Sequence, residues 1–482
     1  MRGITTPPAA SSPSAAPTRW ARRLLLFLSA GLLVALPSLW ILSQYFQTEV
    51  AGSLSYMVRD GWCEAGVFPG LGSHCFGDYS AQVLTARHDF GLPGFDVTKH
   101  VYLSDPTIAY NSLYTPIGQF PHVVSDLFLS VGAGQDTVFW FYIGILALAV
   151  GAPALWVAWL WRGTAMALIP LILLGVAAVP FISALDRGNS AALTVPLLLG
   201  FALSVGRDPP WIPPIFVVAA ATVRPQFILL ALAFIPFARW RQALASVIAF
   251  VGITLLSFAT TAGGLGSSLA AWWGNVTSFR GVADPTVPSV ANISLVRGVV
   301  IVGEWLANLP GPLGSLGGRL GATAIERPLV IVAVASVAVA LALWVSRFVL
   351  PRAVLVVVAI ALPSMASTIS PVYYLSFALV IAALALGSLI VGGTHRGILD
   401  DPDMAGRPAD VWRWRVVAAT TLSLAPLPFG GGTAPDSTGW THSFVLRYVG
   451  VVWFAILVAT VVWLCVRGVR ARVPRWSGGR TS

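Results

Sequence analysis

Four arginines beside apolar segments are the residues with the clearest chemical potential. They are Arg187 in LDRGNSAAL, Arg224 in TVRPQF, and Arg280 and Arg297 around the segment ANISLV. A guanidinium group binds phosphate through two parallel hydrogen bonds, so several of them on one face of a helical bundle would form a pocket for an anionic headgroup. For any one of them alone, snorkelling to the membrane surface is a sufficient explanation.

The stretch from residue 47 to residue 136 supplies the carboxylates. Asp78 opens GDYSAQVLTARHDFG, a predicted amphipathic helix, and lies in its first turn. The helix dipole favours an anion there, so a simple helix cap is one interpretation of Asp78. A carboxylate at the membrane surface is costly, so a functional role is the other. The acidic residues of this stretch include Asp60, Glu64, Asp78, Asp89, Asp96 and Asp105.

The composition identifies the class of protein that holds these residues. Of 482 residues, 56% are hydrophobic and only 10% are charged, and the mean hydropathy is +0.80. A soluble domain has about 25% charged residues. The chain is therefore predicted to be an all-α integral membrane protein in contact with membrane lipids. A soluble enzyme, a secreted disulfide scaffold and a nucleic-acid binder are excluded.

One apolar run decides the topology. The run 211–237 is interrupted at its middle by Arg224-Pro225. As a single span it would place the later arginine-rich segments outside, against the positive-inside rule. As two short helices of about 18 Å each, the run keeps the later arginine-rich segments inside. We therefore predict a re-entrant hairpin with Arg224 at its tip. The other apolar runs are 24–46, 137–161, 164–185, 191–205, 243–260, 328–344, 353–365, 373–390, 416–429 and 444–466.

These runs predict a bundle of 10–12 membrane segments, some of half length, with both termini in the cytoplasm. That arrangement puts 19 basic and 5 acidic residues inside and 10 basic and 14 acidic residues outside. The predicted organisation is a disordered tail (1–21), one polytopic plasma-membrane domain (22–466) and a basic tail (467–482). The two long outer loops, 47–136 and 262–327, place the active surface on the extracytoplasmic side, because loops of that length are usually functional.

Cys63 and Cys75 both fall in the first predicted outer loop. An oxidising compartment would allow a disulfide between them. Two unpaired thiols are the alternative.

Four short elements resemble the membrane glycosyltransferases of family 87. They are Arg187-Gly188-Asn189, Arg224-Pro225, Asn292-Ile293-Ser294-Leu295 and Ser370-Pro371. Their order and spacing match those of the family over roughly residues 78–391. The family includes a polyprenol-phosphate-mannose-dependent mannosyltransferase.

The resemblance implies a GT-C fold and an inverting transfer of a hexosyl group, with mannosyl expected. The donor would be a polyprenyl-phosphate sugar and the acceptor a lipid or a glycan. Asp78 would be the general base, with Asp60 and Asp105 as rivals. No metal and no other cofactor is implied. The residues that would bind the donor, chiefly through its phosphate, are Arg187, Asn189, Arg224, Asn292, Arg297 and Tyr374.

Two other functions stay open from the sequence. A transporter or lipid flippase also builds its site from interrupted helices with a charged residue at mid-membrane, although no internal repeat is detectable here. The third interpretation is an inactive scaffold for envelope assembly, in which Asp78 is only a helix cap.

Overall fold

The computed structural model describes residues 19–46, 79, 82–83, 85–86, 89, 112, 114–278, 292–367, 370–387, 389, 398–401, 404, 406–425, 427 and 444–472. All regular structure in these residues is helical, as predicted. The α-helices are α1 (Arg19–Phe46), α2 (Phe120–Ser130), α3 (Gln135–Leu160), α4 (Leu168–Leu171), α5 (Val179–Arg187), α6 (Thr194–Ser204), α7 (Ile212–Val223), α8 (Trp240–Ala259), α9 (Gly264–Ser278), α10 (Leu295–Ala307), α11 (Pro312–Glu326), α12 (Pro328–Ser346), α13 (Arg352–Met365), α14 (Ser376–Leu386), α15 (Arg407–Leu424) and α16 (Phe444–Arg472). The 3₁₀ helices are Pro116–Gln119, Ala165–Ala167, Ser190–Leu193, Pro225–Phe237, Val372–Leu375 and Ile398–Asp400, and Ile172–Val176 is a π-helical turn.

Five of the described helices are long and apolar enough to cross a membrane. A sixth span is possible if Ala165–Val176 and Val179–Arg187, which are bent by 52°, count as one. Five further apolar helices have only 10–17 residues. The molecule is therefore a helical membrane protein with several half-length segments. The five long helices contain Arg19–Pro37, Asp136–Leu160, Trp240–Ala259, Pro328–Ser346 and Tyr448–Ala471.

The run 211–237 consists of two helices, as predicted. Arg224 has extended backbone angles (φ −143°, ψ 112°), because the proline that follows disfavours a helical conformation for the residue before it. After the second helix, Arg239 forms an ion pair with Asp208, which precedes the first (3.6 Å). The two arms therefore return to the same face of the molecule, with Arg224 at the tip.

The runs 353–365 and 373–390 form a second pair of half-length helices rather than two full spans. Every residue of α14 is buried, and in α13 only Arg352 is not. A helix that is apolar and buried all round belongs to a protein core. The pair turns at Ser370-Pro371. At its start, Arg352 donates hydrogen bonds to the carbonyl oxygens of Ala202 (3.1 Å) and Leu203 (3.2 Å) at the end of α6.

One face of the molecule, which we call the basic face, gathers these helix ends. The Trp20 backbone N–H donates to Asp400 Oδ1 (3.3 Å), and that of Ala353 donates to Asp401 Oδ2 (3.2 Å). Trp20 is buried, and α1 begins at Arg19. The turns at Asn189, Arg224 and Ser370 lie at the opposite ends of their helices, on what we call the tip face.

The predicted outer loop 262–327 is largely helical, because it contains α9, α10 and α11. Helices α10 and α11 pack through glycines: a Cβ on Gly317 would lie 2.4 Å from the backbone nitrogen of Ala307. The sequence predicts a loop here, but the hydrophobic pattern of α10 and α11 is that of amphipathic helices. The α10–α11 hairpin lies on the tip face, since α12 leads from it to the basic face, where Gly468 of α16 contacts the Val345 backbone.

Candidate functional site

Arg224 is the centre of the tip face. Its Nη2 donates hydrogen bonds to Asn189 Oδ1 (2.5 Å) and to the Tyr114 hydroxyl (2.9 Å). Its guanidinium carbon also lies 3.8 Å from the centroid of the Tyr114 ring, in a cation–π contact. The structure therefore brings together Asn189 and Arg224, two predicted site residues that are 35 positions apart in the chain.

Two nitrogen atoms of the Arg224 guanidinium group have no hydrogen-bond partner in the protein. The side chain is only 3% exposed, and its Nε and Nη1 atoms are buried without a hydrogen-bond partner. A buried donor left unsatisfied costs about 1–3 kcal/mol, and more when it is charged. The two nitrogens point to different sides of the guanidinium group, and the oxygens of an anionic group are strong acceptors for such charged donors. The site is therefore suited to an anionic ligand that supplies the missing acceptors.

Two tyrosines of the predicted Ser-Pro element complete the surroundings of Arg224. Tyr373 and Tyr374 lie close enough to interact electrostatically with the cation. Their ring centroids are 5.1 Å apart, and both side chains are about 8% exposed. Tyr374, one of the predicted site residues, therefore lies next to Arg224.

Asn189 serves two functions through one oxygen atom. Its Oδ1 accepts the backbone N–H of Ala191 (2.8 Å), which caps the 3₁₀ helix that comes next, and it also accepts Arg224 Nη2. Gly188 before it adopts a positive φ of 62° and ends α5. A Cβ at Gly188 would lie 2.8 Å from Tyr79 Cβ. Glycine is thus required here both for the turn and for the approach of Tyr79.

An aromatic wall, formed by Tyr79, Tyr114, His122 and Tyr142, stands beside this turn. The Tyr142 hydroxyl donates to the Gly188 carbonyl oxygen and lies near His122 Nε2, both at 3.2 Å. The ring centroids of Tyr79 and Tyr142 are 4.7 Å apart. Tyr142 and the hydroxyl network it makes were not anticipated from the sequence, because nothing in an apolar span distinguishes a site tyrosine from a core one.

The helix α2 presents its polar side to the protein. His122, Ser125 and Asp126 are buried, whereas Leu127 and Phe128 are about half exposed. In a soluble protein this pattern would be reversed, and here it indicates that the apolar side faces lipid while the polar side faces the site. The spacing of the three polar residues at i, i+3 and i+4 was the signal that could have identified Asp126 from the sequence.

Burial, together with the nearby Arg224 cation, lowers the pKa of His122 from 6.5 to about 3. Burial also raises the pKa of the Tyr79 hydroxyl, and the Asp126 carboxylate contributes to that shift. Both side chains are consequently neutral at neutral pH. The positive charge of this part of the site belongs to Arg224.

The Asn292 and Ser370 elements are joined to each other. Asn292 Oδ1 accepts the backbone N–H groups of Ser294 and Ser370, both at 3.0 Å. In addition, the Ile293 N–H donates to the Ser370 carbonyl oxygen (2.8 Å). The amide oxygen of Asn292 therefore connects two distant loops. Through this connection it also positions the start of α10, where Ser294 Oγ accepts the backbone N–H of Arg297 (3.2 Å).

The remaining predicted residues divide into two groups. Arg187 and Arg297 are buried, 8% and 5% exposed, and both lie in helices that end or begin at the turns of the tip face. The second group lies outside the described residues and consists of Cys63, Cys75, Asp60, Asp78, Asp105 and Arg280. Tyr79, the chain neighbour of Asp78, is described and contacts the turn at Gly188.

A second buried carboxylate of the first predicted loop is described. Asp89 is fully buried, and its Oδ2 accepts the side-chain N–H of Gln119 (3.0 Å). Its carbonyl oxygen accepts the N–H of Ala262. Among the described residues, no group of three His, Cys, Asp or Glu side chains is placed to hold a metal ion.

The chain matches no protein-family model, no curated protein and no solved structure. The functional interpretation of the chain therefore rests on the geometry of the tip face.

Proposed function

We propose that this protein is an inverting membrane glycosyltransferase of GT-C type that moves a hexosyl group, with mannosyl as the expected sugar, from a polyprenyl-phosphate donor to a lipid or glycan acceptor. The observation that carries the proposal is the buried Arg224, with two N–H donors that have no acceptor in the protein. The oxygens of a donor phosphate are acceptors for such buried cationic N–H groups. The resemblance of the surrounding turns to family 87 supports the same function.

The proposed orientation depends on charge. The basic face collects Arg23, Arg207, Arg239, Arg352 and Arg413, all held near helix ends. The positive-inside rule assigns that face to the cytoplasm. The tip face, and with it Arg224, then lies toward the extracytoplasmic side of a plasma membrane.

The chemistry requires two contributions from the chain, a base and a cation that stabilises the leaving phosphate. The acceptor hydroxyl oxygen attacks the anomeric carbon of the sugar while the bond from that carbon to the phosphate oxygen breaks. Asp78, the proposed base, takes the hydroxyl proton. Arg224 stabilises the charge that accumulates on the departing phosphate, and its fixed position means that no reorganisation is needed during the reaction. Attack opposite to the leaving phosphate inverts the anomeric configuration.

The experiment that tests the proposal is sugar transfer by the purified full-length protein in detergent, with synthetic polyprenyl-phosphate-mannose and extracted envelope lipids. Removal of a preorganised charged donor lowers kcat by about 100-fold or more, so we expect this loss in Arg224→Gln. Arg241→Gln is the matched control, since Arg241 is an exposed arginine at the start of α8 on the basic face. Asp78→Asn should be inactive while retaining donor binding.

Two outcomes would contradict parts of the proposal. Transfer that survives in Asp78→Asn moves the base to Asp60 or Asp105, and equal activity of Arg224→Gln and Arg241→Gln removes Arg224 from the site. If wild-type protein transfers no sugar with any donor, the transporter or flippase becomes the better function. The pairs of half-length helices that meet at a charged residue favour that second candidate, and translocation of a labelled polyprenyl phosphate in proteoliposomes would test it.

A further inference from the structure

An open cleft lies between α15 and α16, near the basic face and away from Arg224. It encloses about 380 Å³. On α15 its lining includes Arg407, Val411 and Arg415, and on α16 it includes Ala459 and Trp463. No step of the proposed transfer uses these residues.

The spacing along α15 explains the character of the cleft. Arg407, Val411 and Arg415 succeed each other at intervals of four residues, so they lie along one side of the helix. The guanidinium groups of Arg407 and Arg415 therefore lie on either side of Val411 along the helix. Ala459 and Trp463 are also four residues apart, and they form the apolar wall across from them. The cleft combines an apolar interior with two guanidinium groups.

The two helices that form the cleft are fixed relative to each other. Trp412 Nε1 donates a hydrogen bond to Thr460 Oγ1 (3.0 Å), and both residues are buried, 4% and 1% exposed. A buried hydrogen bond between two side chains holds the register of the two helices. The opening is thus a built feature of the helix pair.

The acidic groups of this region are engaged elsewhere. Asp410 forms an ion pair with Arg413 (3.1 Å), and Asp400 accepts the Trp20 N–H. Within the described part of the chain, Arg407 and Arg415 are exposed and form no ion pair or hydrogen bond. Their charges are therefore available to a ligand.

The surroundings of the cleft are those of a lipid-facing surface. Helix α16 is one of the five helices able to cross a membrane, and Val458, Val462 and Val466 beside the cleft are about half exposed. Arg467 adds a third cation at the rim, 5.6 Å from the Trp463 ring centroid. Basic pockets between membrane helices on the cytoplasmic side bind acidic lipid headgroups.

We infer that this cleft is a binding site for an anionic glycerophospholipid of the leaflet next to the basic face. The acyl chains lie against Val411, Ala459 and Trp463, and the phosphate group lies between Arg407 and Arg415. Guanidinium groups hold phosphate in two-point hydrogen bonds, and the apolar wall excludes water from the chains. The site is separate from Arg224 and does not depend on the proposed transfer reaction.

The test is native mass spectrometry of the purified full-length protein, delipidated in detergent and titrated with phosphatidylglycerol or with phosphatidylcholine of the same acyl chains. We expect tighter binding of the first phosphatidylglycerol. Loss of two arginine contacts of about 1 kcal/mol each weakens that binding by about 30-fold in Arg407→Gln/Arg415→Gln. The control Arg241→Gln/Arg470→Gln removes the same charge from exposed arginines outside the cleft and should bind like wild type.

A second pair of variants tests the apolar part with all charges intact. Ala459→Phe fills the cleft and should lose the first phosphatidylglycerol, whereas Ala455→Phe, at an exposed position one turn earlier on α16, should not. This pair decides the matter if the double arginine variant fails to fold. Equal binding of the two lipids by wild type, equal weakening in the two double variants, or full binding by Ala459→Phe would overturn the inference.

Discussion

At the scale of single residues, Arg224 shows how a costly group is tolerated in a membrane protein. One of its nitrogens is held by Asn189 and Tyr114, and the Tyr114 ring covers the plane of the guanidinium. Two other nitrogens stay without protein acceptors. A side chain of this kind is fixed in position before a ligand arrives. Such preorganisation is the property that transition-state stabilisation requires.

Gly188 offers a test of how tightly the turn beside Arg224 is built. Gly188→Ala places a Cβ 2.8 Å from Tyr79 Cβ at a φ of 62°. We expect this variant to lower Tm far more than Gly163→Ala, because Gly163 has a φ of 85° with open space around its Cβ position. Gly163→Ala loses only the about 1–2 kcal/mol that a left-handed backbone conformation costs an alanine. At Gly188, overpacking against Tyr79 adds about 1–3 kcal/mol. Equal losses of Tm would show that Tyr79 is free to move away.

The pKa of His122 leads to a prediction about pH. Its pKa is about 3 in the folded protein and 6.5 ordinarily. Below pH 6.5 the unfolded chain therefore binds a proton that the folded protein does not bind. Stability is lost as the pH falls from 6.5 toward 3, with a slope of up to about 1.4 kcal/mol per pH unit from this group, and it is unaffected by this group above pH 6.5.

Comparison of Tm for wild type and His122→Gln between pH 7.5 and pH 5 isolates this effect, since every other titrating group is common to both. We expect the variant to be slightly less stable at pH 7.5, where it loses the contact with Tyr142, and to lose less stability on acidification. Parallel pH profiles would show that the pKa of His122 in the folded protein is close to its ordinary value of 6.5.

At the scale of elements, the molecule is built from pairs of half-length helices whose turns meet. Proline or glycine sets each turn: Pro225 makes Arg224 extended, and Gly188 ends α5 in a left-handed conformation. The Arg239–Asp208 ion pair, with Asp208 mostly exposed, marks where one pair closes but contributes little stability. The helices of each pair place polar turn residues inside the protein, where irregular backbone is tolerated at membrane depth.

The α10–α11 hairpin gives a matched pair of glycine variants. Gly317 lies against the partner helix, where an added Cβ would be 2.4 Å from the Ala307 nitrogen, whereas the Cβ position of Gly318 is open. Glycine to alanine in a helix interior stabilises by about 0.5–1 kcal/mol when there is space. Gly318→Ala should therefore raise Tm, and Gly317→Ala should lower it by forcing the helices apart. A rise in both would show that the two helices do not pack closely in the membrane.

At the scale of the whole molecule, the structure separates two faces with different chemistry. The basic face holds the ends of α1, α6, α13 and α16 near exposed arginines, and the tip face holds Asn189, Arg224 and Ser370. In the proposed orientation the first face meets the anionic lipids of the cytoplasmic leaflet, whereas the second holds buried polar groups of the kind that bind a charged ligand. The proposed transferase function depends on the tip face being extracytoplasmic.

Cysteine labelling of intact cells tests that orientation. In a background with Cys63, Cys75 and Cys465 replaced by serine, Ser315→Cys on α11 should react with a membrane-impermeant maleimide. Arg241→Cys should react only after permeabilisation. Both positions are exposed, and they lie on opposite faces, so only the side of the membrane distinguishes them. Labelling of Arg241→Cys alone in intact cells would reverse the proposed topology.

The sequence by itself determined the class of the protein and the places where its helices break. Low charge and high hydropathy require a membrane, and Pro225 forces a break at Arg224 because the preference acts on the adjacent residue. Hydropathy reports only that a segment leaves water, so it could not tell that α13 and α14 are buried in protein rather than in lipid.

Only the tertiary structure decided which turns meet. The hydrogen bond from Arg224 to Asn189 and that from Ser370 to Asn292 join residues 35 and 78 positions apart. The tertiary structure also decided that the side chains of His122 and Asp126 on α2 point into the protein. Local preferences extend over about one helical turn, whereas these contacts depend on how whole helices pack, and packing is set by all of the partners at once.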